Sequence, residues 1–183
     1  MSHALIVGGT GMLSGATLAL AREFDVVSVV ARGHRRLDEL ALLASGGGGD
    51  LNALRLDYSD ADRLGDALAG AQDSHGPFDL ALGWIHGTVP EAPRQVIRAL
   101  RVGATFWHVL GSAAADPTAV ADDRRLHPPE GVRYHQVILG FVVEGGRSRW
   151  LTNDEISAGV LDALRGAARC HVVGTVRSWS ARP

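Results

Sequence analysis

Short apolar runs alternate with helix-like segments along most of the chain, and this alternation restricts the fold more than any other feature of the sequence. Runs rich in Val, Ile and Leu that show no polar alternation predict strands covered on both faces. Strands separated by single helices pair in parallel through right-handed crossovers. The sequence therefore predicts an α/β fold, a doubly wound and mostly parallel sheet with helices on both faces.

Periodicity, caps and breakers place the boundaries of these segments. Strands are predicted at residues 4–7, 25–31, 51–56, 79–84, 105–110, 132–143 and 170–176, and helices at 11–22, 35–44, 59–69, 93–101 and 153–164. Ser59 or Asp60 is the expected cap of the third helix, and Thr152 or Asn153 that of the last. Residues 45–50 are a glycine-rich turn, and 113–131 a loop with at most a short helix. No linker divides the 183 residues, so we expect a single domain over 1–183.

Charge and composition exclude two classes of partner. The formal net charge is −2, so no basic face for nucleic acid is expected. No apolar run reaches the roughly 20 residues of a membrane span. The single cysteine, Cys170, has no internal disulfide partner, and the chain starts directly with an apolar strand rather than a signal peptide. These features predict a cytoplasmic protein with no membrane and no nucleic-acid partner.

A glycine-rich turn follows the first predicted strand. It comprises Gly8, Gly9, Thr10, Gly11, Met12 and Leu13, and a helix pattern begins within it. A pyrophosphate requires a sharp turn out of a strand, a backbone without side chains at the point of approach, and free amides at the start of a helix. The turn therefore predicts the phosphate loop of a Rossmann dinucleotide site. A tight turn without a ligand is the alternative.

The segment after the second predicted strand bears on the choice of dinucleotide. NAD sites place an acid there, roughly 20 residues after the glycines, to bind the ribose 2′-hydroxyl. This segment contains Arg32, Arg35 and Arg36 and no acid. Guanidinium groups bind phosphate well, so the segment predicts NADP(H) as the cofactor. Alternatively, Arg35 and Arg36 only solvate the start of the next helix, which leaves Arg32 as the strongest candidate.

Three more candidates for the cofactor site follow later strands. Asp57, after the third strand, accepts a hydrogen bond from the adenine amino group or else caps the next helix. Tyr58 stands beside it and is included in the expected site. Trp84, the last residue of the fourth predicted strand, is expected to form a wall for a flat ligand, a role that Trp150 could also take.

These motifs resemble those of the short-chain dehydrogenase/reductase superfamily, and in particular of its atypical members. The resemblance runs in order along most of the chain. It comprises the Gly-Gly-Thr-Gly loop, Arg32, Leu56-Asp57, Val109-Leu110-Gly111-Ser112, Ile138-Leu139-Gly140-Phe141 and the segment from Trp150 to Ile156. It implies a Rossmann fold, a nicotinamide dinucleotide cofactor, and a role for Ser112 as the serine that hydrogen-bonds a substrate carbonyl. An ordinary turn serine is the alternative for Ser112.

The chain departs from the family pattern where the catalytic groups are expected. Gly83-Trp84-Ile85-His86-Gly87 stands where family members often carry Asn-Asn-Ala-Gly, and Ser14 stands at the usual third glycine. Members with the full catalytic set use a Tyr-x-x-x-Lys helix, in which lysine lowers the tyrosine pKa and holds the ribose. This chain contains no lysine, and its two tyrosines, Tyr58 and Tyr134, lie at or within predicted strands. The resemblance therefore implies the fold and the cofactor but not this mechanism.

His86 is the second candidate catalytic residue. It follows the fourth strand, at the edge where substrate and nicotinamide should meet. A histidine can donate a proton near neutral pH; a loop histidine without a catalytic task is the alternative. His108 and His135 fall inside strands and are expected to be structural. The histidines show no metal-ligand spacing, so no metal site is predicted.

Two functions fit these features. The first is an NADPH-dependent oxidoreductase that transfers hydride to a small-molecule substrate, a carbonyl or imine compound, by a mechanism other than that of Tyr-x-x-x-Lys. The second is a non-catalytic NADP(H)-binding redox sensor or regulator, which agrees with the missing catalytic helix. The resemblance also implies pairing into a homo-oligomer, through the predicted helix at 156–164 and the strand at 170–176.

Overall fold

The computed structural model describes residues 1–115, 126–177 and 179–183. Its strands are β1 (His3–Val7), β2 (Val26–Ala31), β3 (Leu51–Arg55), β4 (Phe78–Trp84), β5 (Leu100–Gly111), β6 (Arg133–Leu139), β7 (Phe141–Glu144), β8 (Arg147–Trp150) and β9 (Cys170–Val173). Its helices are α1 (Ser14–Leu20), α2 (His34–Gly46), α3 (Ala61–His75), α4 (Glu91–Arg98) and α5 (Asn153–Arg165). Two short 3-10 turns, Ser112–Ala115 and Trp179–Ala181, accompany them.

Seven of the described strands form one parallel sheet, in the order β3-β2-β1-β4-β5-β6-β9. The direction of winding reverses after β3, because β4 adds to the other side of β1. Ligands of such folds bind at this switch point, outside the carboxyl ends of the strands. The predicted fold class, a doubly wound and mostly parallel sheet, is confirmed.

Alternate strand residues pack into two cores, one on each face of the sheet. Ala4 and Ile6 of β1 point to the face covered by α1, α2 and α5, whereas Leu5 and Val7 point to the face covered by α3 and α4. The two-residue period of a strand produces this division. Burial of β1 and β2 on both faces explains why their sequences show no polar alternation.

The expectation of one strand over residues 132–143 is wrong. β6 ends at Leu139, and the chain turns at Gly140 into an antiparallel hairpin of β7 and β8. A Cβ atom at Gly140 would lie 2.2 Å from the carbonyl oxygen of Thr175, so glycine alone allows this close approach. Phe141 and Thr175 then exchange two backbone hydrogen bonds, of 2.9 and 2.8 Å, which hold the hairpin beside the sheet.

The other elements differ from expectation mainly at their ends. β5 begins at Leu100 rather than at residue 105, with an irregular register against β4 that lies between Phe78 and Leu80. β9 ends at Val173 rather than at 176, because Gly174 adopts a φ of 76°. Asp60 caps α3, and Thr152 caps α5 in a reciprocal capping box with Glu155.

The predicted loop at 113–131 is described at both ends, while residues 116–125 lie outside the described part of the chain. Residues 112–115 form the first 3-10 turn, and Leu126 packs on the core beneath α3 and α4. Among the described helices, none has the length and apolar character that crossing a bilayer requires.

Candidate dinucleotide-binding site

The candidate residues follow the carboxyl ends of strands that meet at one edge of the sheet. Val7, the last residue of β1, lies level with Val30 of β2 and with Gly83 of β4. Gly83 in turn lies level with His108 of β5. β2 and β4 each continue one residue beyond the level at which β1 ends, so the loop after β1 starts between two longer strands.

The first two glycines of this loop are required by the fold itself. Gly8 has a φ of 80°, and a Cβ atom there would lie 2.9 Å from the carbonyl oxygen of Trp84. A Cβ atom at Gly9 would lie 2.8 Å from Oγ1 of Thr17 and 2.9 Å from Cγ2 of Ile6. These two glycines therefore allow the chain to turn sharply between β1 and α1.

Gly11 differs because its side-chain position is open. No heavy atom of the described residues lies within 4 Å of a Cβ atom placed there. The amides of Gly9, Thr10 and Gly11 donate to no backbone carbonyl of the described residues. Free amides beside a surface without side chains are the features that a pyrophosphate requires.

Two buried hydroxyl groups hold the loop in this shape. Oγ1 of Thr17 donates to the carbonyls of Gly9 and Leu13, at 3.1 and 2.9 Å. Oγ of Ser157 in α5 donates to the carbonyl of Met12 at 2.9 Å. Sequence reasoning missed both residues. Ser157 carries no local signal, since it stands 145 positions from Met12 along the chain.

The three arginines near the end of β2 have different surroundings. Nη1 of Arg32 lies 3.4 Å from Oδ2 of Asp57, and the Arg32 side chain is 76% exposed. Nε of Arg35 donates to Glu39 one helical turn away, at 2.8 Å, which raises the pKa of the guanidinium. Arg36 is exposed and pairs with no other described residue. Exposed ion pairs contribute only about 0–1 kcal/mol, so a phosphate group can replace these partners at little cost.

Asp57 and Tyr58, in the loop after β3, contact residues that follow two other strands, Arg32 after β2 and His86 after β4. Oδ1 of Asp57 accepts from the amide of Ser59 at 2.9 Å, and this bond, assisted by Arg32, holds the pKa of the carboxyl below its usual range. Oη of Tyr58 accepts from the amide of His86 at 3.3 Å. The structure thus brings Arg32 to Asp57 and Tyr58 to His86, while Asp60 rather than Asp57 caps α3.

Trp84, His86 and Ser112 lie at the ends of the adjacent strands β4 and β5. The Trp84 and His86 rings meet edge to face, with centroids 5.7 Å apart. A Cβ atom at Gly111 would lie 3.6 Å from Cη2 of Trp84, so the indole lies beside the end of β5. Ser112 follows at once, buried at the start of the 3-10 turn. The positions expected for the catalytic candidates and for an aromatic wall are therefore neighbouring in space.

A buried polar cluster lies on β5 and β6, on the face covered by α3 and α4. Nδ1 of His108 lies 3.0 Å from Oη of Tyr134, which accepts from Nε2 of Gln136 at 3.2 Å. Nε2 of His108 is buried without a hydrogen-bond partner among the described residues. Burial lowers the pKa of His108 to about 4, and the backbone of Ile85 opposes this effect only in part. The imidazole is therefore neutral near pH 7.

The described residues contain no group of three or more His, Cys, Asp or Glu side chains that is placed to bind a metal ion.

The strand order and the glycine loop after β1 define the class of this fold, a doubly wound Rossmann fold. Solved structures share it over nearly the whole chain. A short-chain type dehydrogenase/reductase from Mycobacterium marinum matches with a TM-score of 0.71 and 16% identity, over 94% of this chain and 93% of that one. An alcohol dehydrogenase from the archaeon Thermococcus sibiricus, complexed with 5-hydroxy-NADP, matches with a TM-score of 0.66 and 20% identity, over 100% of this chain and 99% of that one. An NADH-dependent reductase complexed with NAD matches with a TM-score of 0.72 and 14% identity, over 94% of this chain and 95% of that one.

The chain therefore has the fold of the short-chain dehydrogenases/reductases, as its motifs implied. No family model and no curated protein matches its sequence.

Proposed function

We propose that this protein is an oxidoreductase that binds a nicotinamide dinucleotide, NADP(H) in preference to NAD(H), and transfers hydride to a small carbonyl or imine compound. The observation that carries the proposal is the contrast within the loop after β1. Gly8 and Gly9 are enclosed by the fold, whereas Gly11 faces open space beside free amides. A loop that served only as a tight turn would require glycine at 8 and 9 but not at 11. Structures of this fold that hold an NADP derivative or NAD support the cofactor class.

The preference for NADP(H) is supported by the charge at the end of β2. Arg32 and Arg36 are exposed there, one in a weak ion pair and the other unpaired within the described chain. Arg35 is directed along α2 towards Glu39, so it is the least available of the three. A 2′-phosphate would replace the exposed pair of Arg32 with charge-assisted hydrogen bonds, which are the stronger kind.

Binding of NADPH and NADH to the purified protein tests the proposal directly. Isothermal titration and nicotinamide fluorescence should show tighter binding of NADPH. Equal affinities would indicate that the arginines only face solvent. A nicotinamide dinucleotide would then remain the proposed cofactor, without a preference for NADP(H). No binding of either nucleotide would show that the glycine loop is only structural and would remove the proposed function.

Arg32→Ala and Arg36→Ala are each expected to reduce the ratio of NADPH to NADH affinity about tenfold. Each removes a hydrogen bond to a charged group, which contributes roughly 1.5–3 kcal/mol. Arg35→Ala should have a smaller effect because Glu39 already engages its guanidinium. Arg165→Ala, an exposed arginine at the end of α5 that pairs with Asp162, is the matched control and should leave the ratio unchanged. An affinity ratio that is unchanged in both Arg32→Ala and Arg36→Ala would contradict the proposed role of these arginines in binding the 2′-phosphate.

The proposed hydride transfer requires no covalent bond between the protein and the substrate. The nicotinamide supplies the hydride, and the chain orients the reactants and supplies hydrogen bonds. Ser112, at the end of β5, is the candidate group for binding the carbonyl oxygen. His86, on the next strand end, is the candidate proton donor. Positioning alone supplies much of the acceleration of such a step, which accommodates the absence of lysine from the chain.

Ser112→Ala and His86→Ala are expected to slow NADPH consumption with an aldehyde, ketone or cyclic imine from a substrate panel. Loss of a general acid typically costs about 10²- to 10⁴-fold, so His86→Ala should have the larger effect. Ser74→Ala is the matched control, since Oγ of Ser74 bonds only the carbonyl of Gly70 on an exposed face of α3. Unchanged rates in both variants would withdraw these two catalytic roles.

A non-catalytic NADP(H)-binding sensor is the second candidate, and the two tyrosines favour it. Tyr58 is engaged by the amide of His86, and Tyr134 lies within β6 in a buried polar cluster. Neither can form a Tyr-x-x-x-Lys pair in a chain without lysine. Tight NADPH binding without turnover of any compound in the panel would support this function over the first.

A further inference from the structure

His86, the candidate proton donor, lies in an exposed loop but is held at three points. Its carbonyl accepts from the amide of Val89 at 3.0 Å. Its ring meets the Trp84 ring edge to face, with centroids 5.7 Å apart. Its amide donates to Oη of Tyr58 at 3.3 Å. Loops that follow strands are usually the more mobile parts of a fold, so contacts on both backbone groups and on the ring restrict this histidine more than its exposure alone would indicate.

Tyr58 supplies the contact that joins this loop to another part of the fold. Trp84 and Val89 belong to the same strand end and loop as His86, so their contacts set only the local shape. Tyr58 comes from the loop after β3, 28 positions away along the chain, and β2 and β1 stand between β3 and β4 in the sheet. Its half-buried ring packs on the core beneath α3 and α4. A side chain anchored in this way offers the loop a fixed acceptor.

The hydroxyl of Tyr58 serves the loop rather than the core. Among the described residues, the bond from the His86 amide is the one hydrogen bond that this hydroxyl makes. Packing of the ring on the core requires an aromatic side chain but no oxygen atom, so phenylalanine would fill the same space. The function of the hydroxyl is therefore found at the backbone of His86.

We propose that Tyr58 is a positioning residue, whose hydroxyl holds the backbone of His86 and thereby the imidazole for proton donation, an inference that rests on the proposed function. Tyr58 acts through His86 and makes no contact of its own with the reacting atoms. A general acid must lie within hydrogen-bond reach of the atom that it protonates, and a small displacement lowers the rate. With its amide held by Tyr58 and its carbonyl by Val89, His86 has few backbone positions open to it.

Water-exchange NMR of the His86 amide tests the contact without cofactor or substrate. The protein is labelled with nitrogen-15 histidine, and His86→Ala identifies the resonance. Tyr58→Phe keeps the ring and removes only the hydroxyl, so we expect this amide to exchange about two- to tenfold faster, the range of one neutral hydrogen bond. Tyr134→Phe is the matched control. It removes the hydroxyl of the other tyrosine, which bonds His108 and Gln136, and should leave the exchange of the His86 amide unchanged.

Turnover measurements separate a positioning role from a structural one. With a compound that the wild type reduces, Tyr58→Phe should lower kcat about two- to tenfold and leave the KM for NADPH unchanged, while Tyr134→Phe should match the wild type. In a His86→Ala background there is no imidazole to orient, so Tyr58→Phe should lower the residual kcat no further. A structural role for Tyr58 would instead lower kcat by the same factor in both backgrounds and raise the KM for NADPH.

The proposal is overturned if the His86 amide exchanges in Tyr58→Phe as it does in the wild type, or if kcat falls equally in both backgrounds. Failure of the proposed function gives a different result. In that case NADPH does not bind, no compound is reduced, or His86→Ala keeps the wild-type rate, while the exchange measurement still reports the hydrogen bond from His86 to Tyr58. The bond would then hold the loop without serving catalysis, and the positioning role of Tyr58 would be withdrawn together with the catalytic role of His86.

Discussion

Gly11→Ala is expected to weaken NADPH binding about tenfold or more while leaving the free energy of unfolding unchanged. The added methyl group meets no described atom within 4 Å in the free protein, so the fold has room for it. In the complex, the same methyl group would stand where the pyrophosphate approaches the backbone. Overfilling a packed contact costs roughly 1–3 kcal/mol, which corresponds to about a 5- to 150-fold loss of affinity. Titration of NADPH and urea unfolding of the same samples measure the two quantities.

Two other glycine variants make this result specific. Gly65→Ala adds a methyl group to an equally open position within α3 and should leave binding unchanged. It should raise stability by about 0.5–1 kcal/mol, because alanine is more favourable than glycine inside a helix. Gly9→Ala should instead lower stability by about 1–3 kcal/mol, because its Cβ atom would overlap Thr17 and Ile6. Unchanged NADPH affinity in a folded Gly11→Ala protein would place the dinucleotide elsewhere and remove the observation on which the proposed function depends.

The free energy of unfolding is expected to fall by about 3 kcal/mol between pH 6.5 and pH 4 through His108 alone. Burial lowers the pKa of this histidine from 6.5 to about 4 in the folded protein. Between these two pH values His108 binds a proton in the unfolded chain but not in the folded protein. The stabilisation is therefore present above pH 6.5 and is lost as the pH falls. One pKa unit corresponds to about 1.4 kcal/mol. Urea unfolding at half-unit steps from pH 7.5 to 4 gives the profile.

The difference between the wild-type and His108→Gln profiles isolates this contribution. Burial also lowers the pKa of His3, so the wild-type profile contains more than one titration. His3 is unchanged in the variant, and its contribution cancels in the difference. Profiles that run parallel from pH 6.5 to 4 would show that His108 is not a buried neutral imidazole.

The alternation of strands and helices could be predicted from the sequence because β1 and β2 are buried on both faces and carry no polar residue pattern to confuse them with helices. The hairpin of β7 and β8 could not be predicted as easily. Gly145 and Gly146 have φ values of 57° and 77°, as a tight hairpin turn requires. However, the apolar residues before this turn continue across Gly140 without a polar break. The break there is set by a contact with Thr175, which lies far along the chain.

The residues of the candidate site also fall into two groups, those that the local sequence shows and those whose surroundings depend on distant parts of the chain. Its glycines, arginines and strand-end residues are local features, and the sequence locates them. The separate tasks of Gly9 and Gly11 are not local, because Thr17, Ile6 and Val29 decide which glycine is enclosed. The same holds for His108, which its position inside a strand predicts to be structural. Its hydrogen bond with Tyr134 and its lowered pKa follow from burial against residues of another strand, which the local sequence does not show.

The hydrogen bond from Ser157 to Met12 has a consequence for the order of events during synthesis. It joins the glycine loop to a helix made 145 residues later. A Cβ atom at Gly15 would lie 3.0 Å from Cβ and Oγ of Ser157, so glycine there lets α5 pack closely against α1. A nascent chain can pair β1, β2 and β3 early. The hydrogen bond from Ser157 to the glycine loop forms only after α5 has left the ribosome and packed against α1. Contacts so distant in sequence form late in folding. The proposed nucleotide binding therefore requires α5, and translation products that stop before α5 should show no affinity for NADPH.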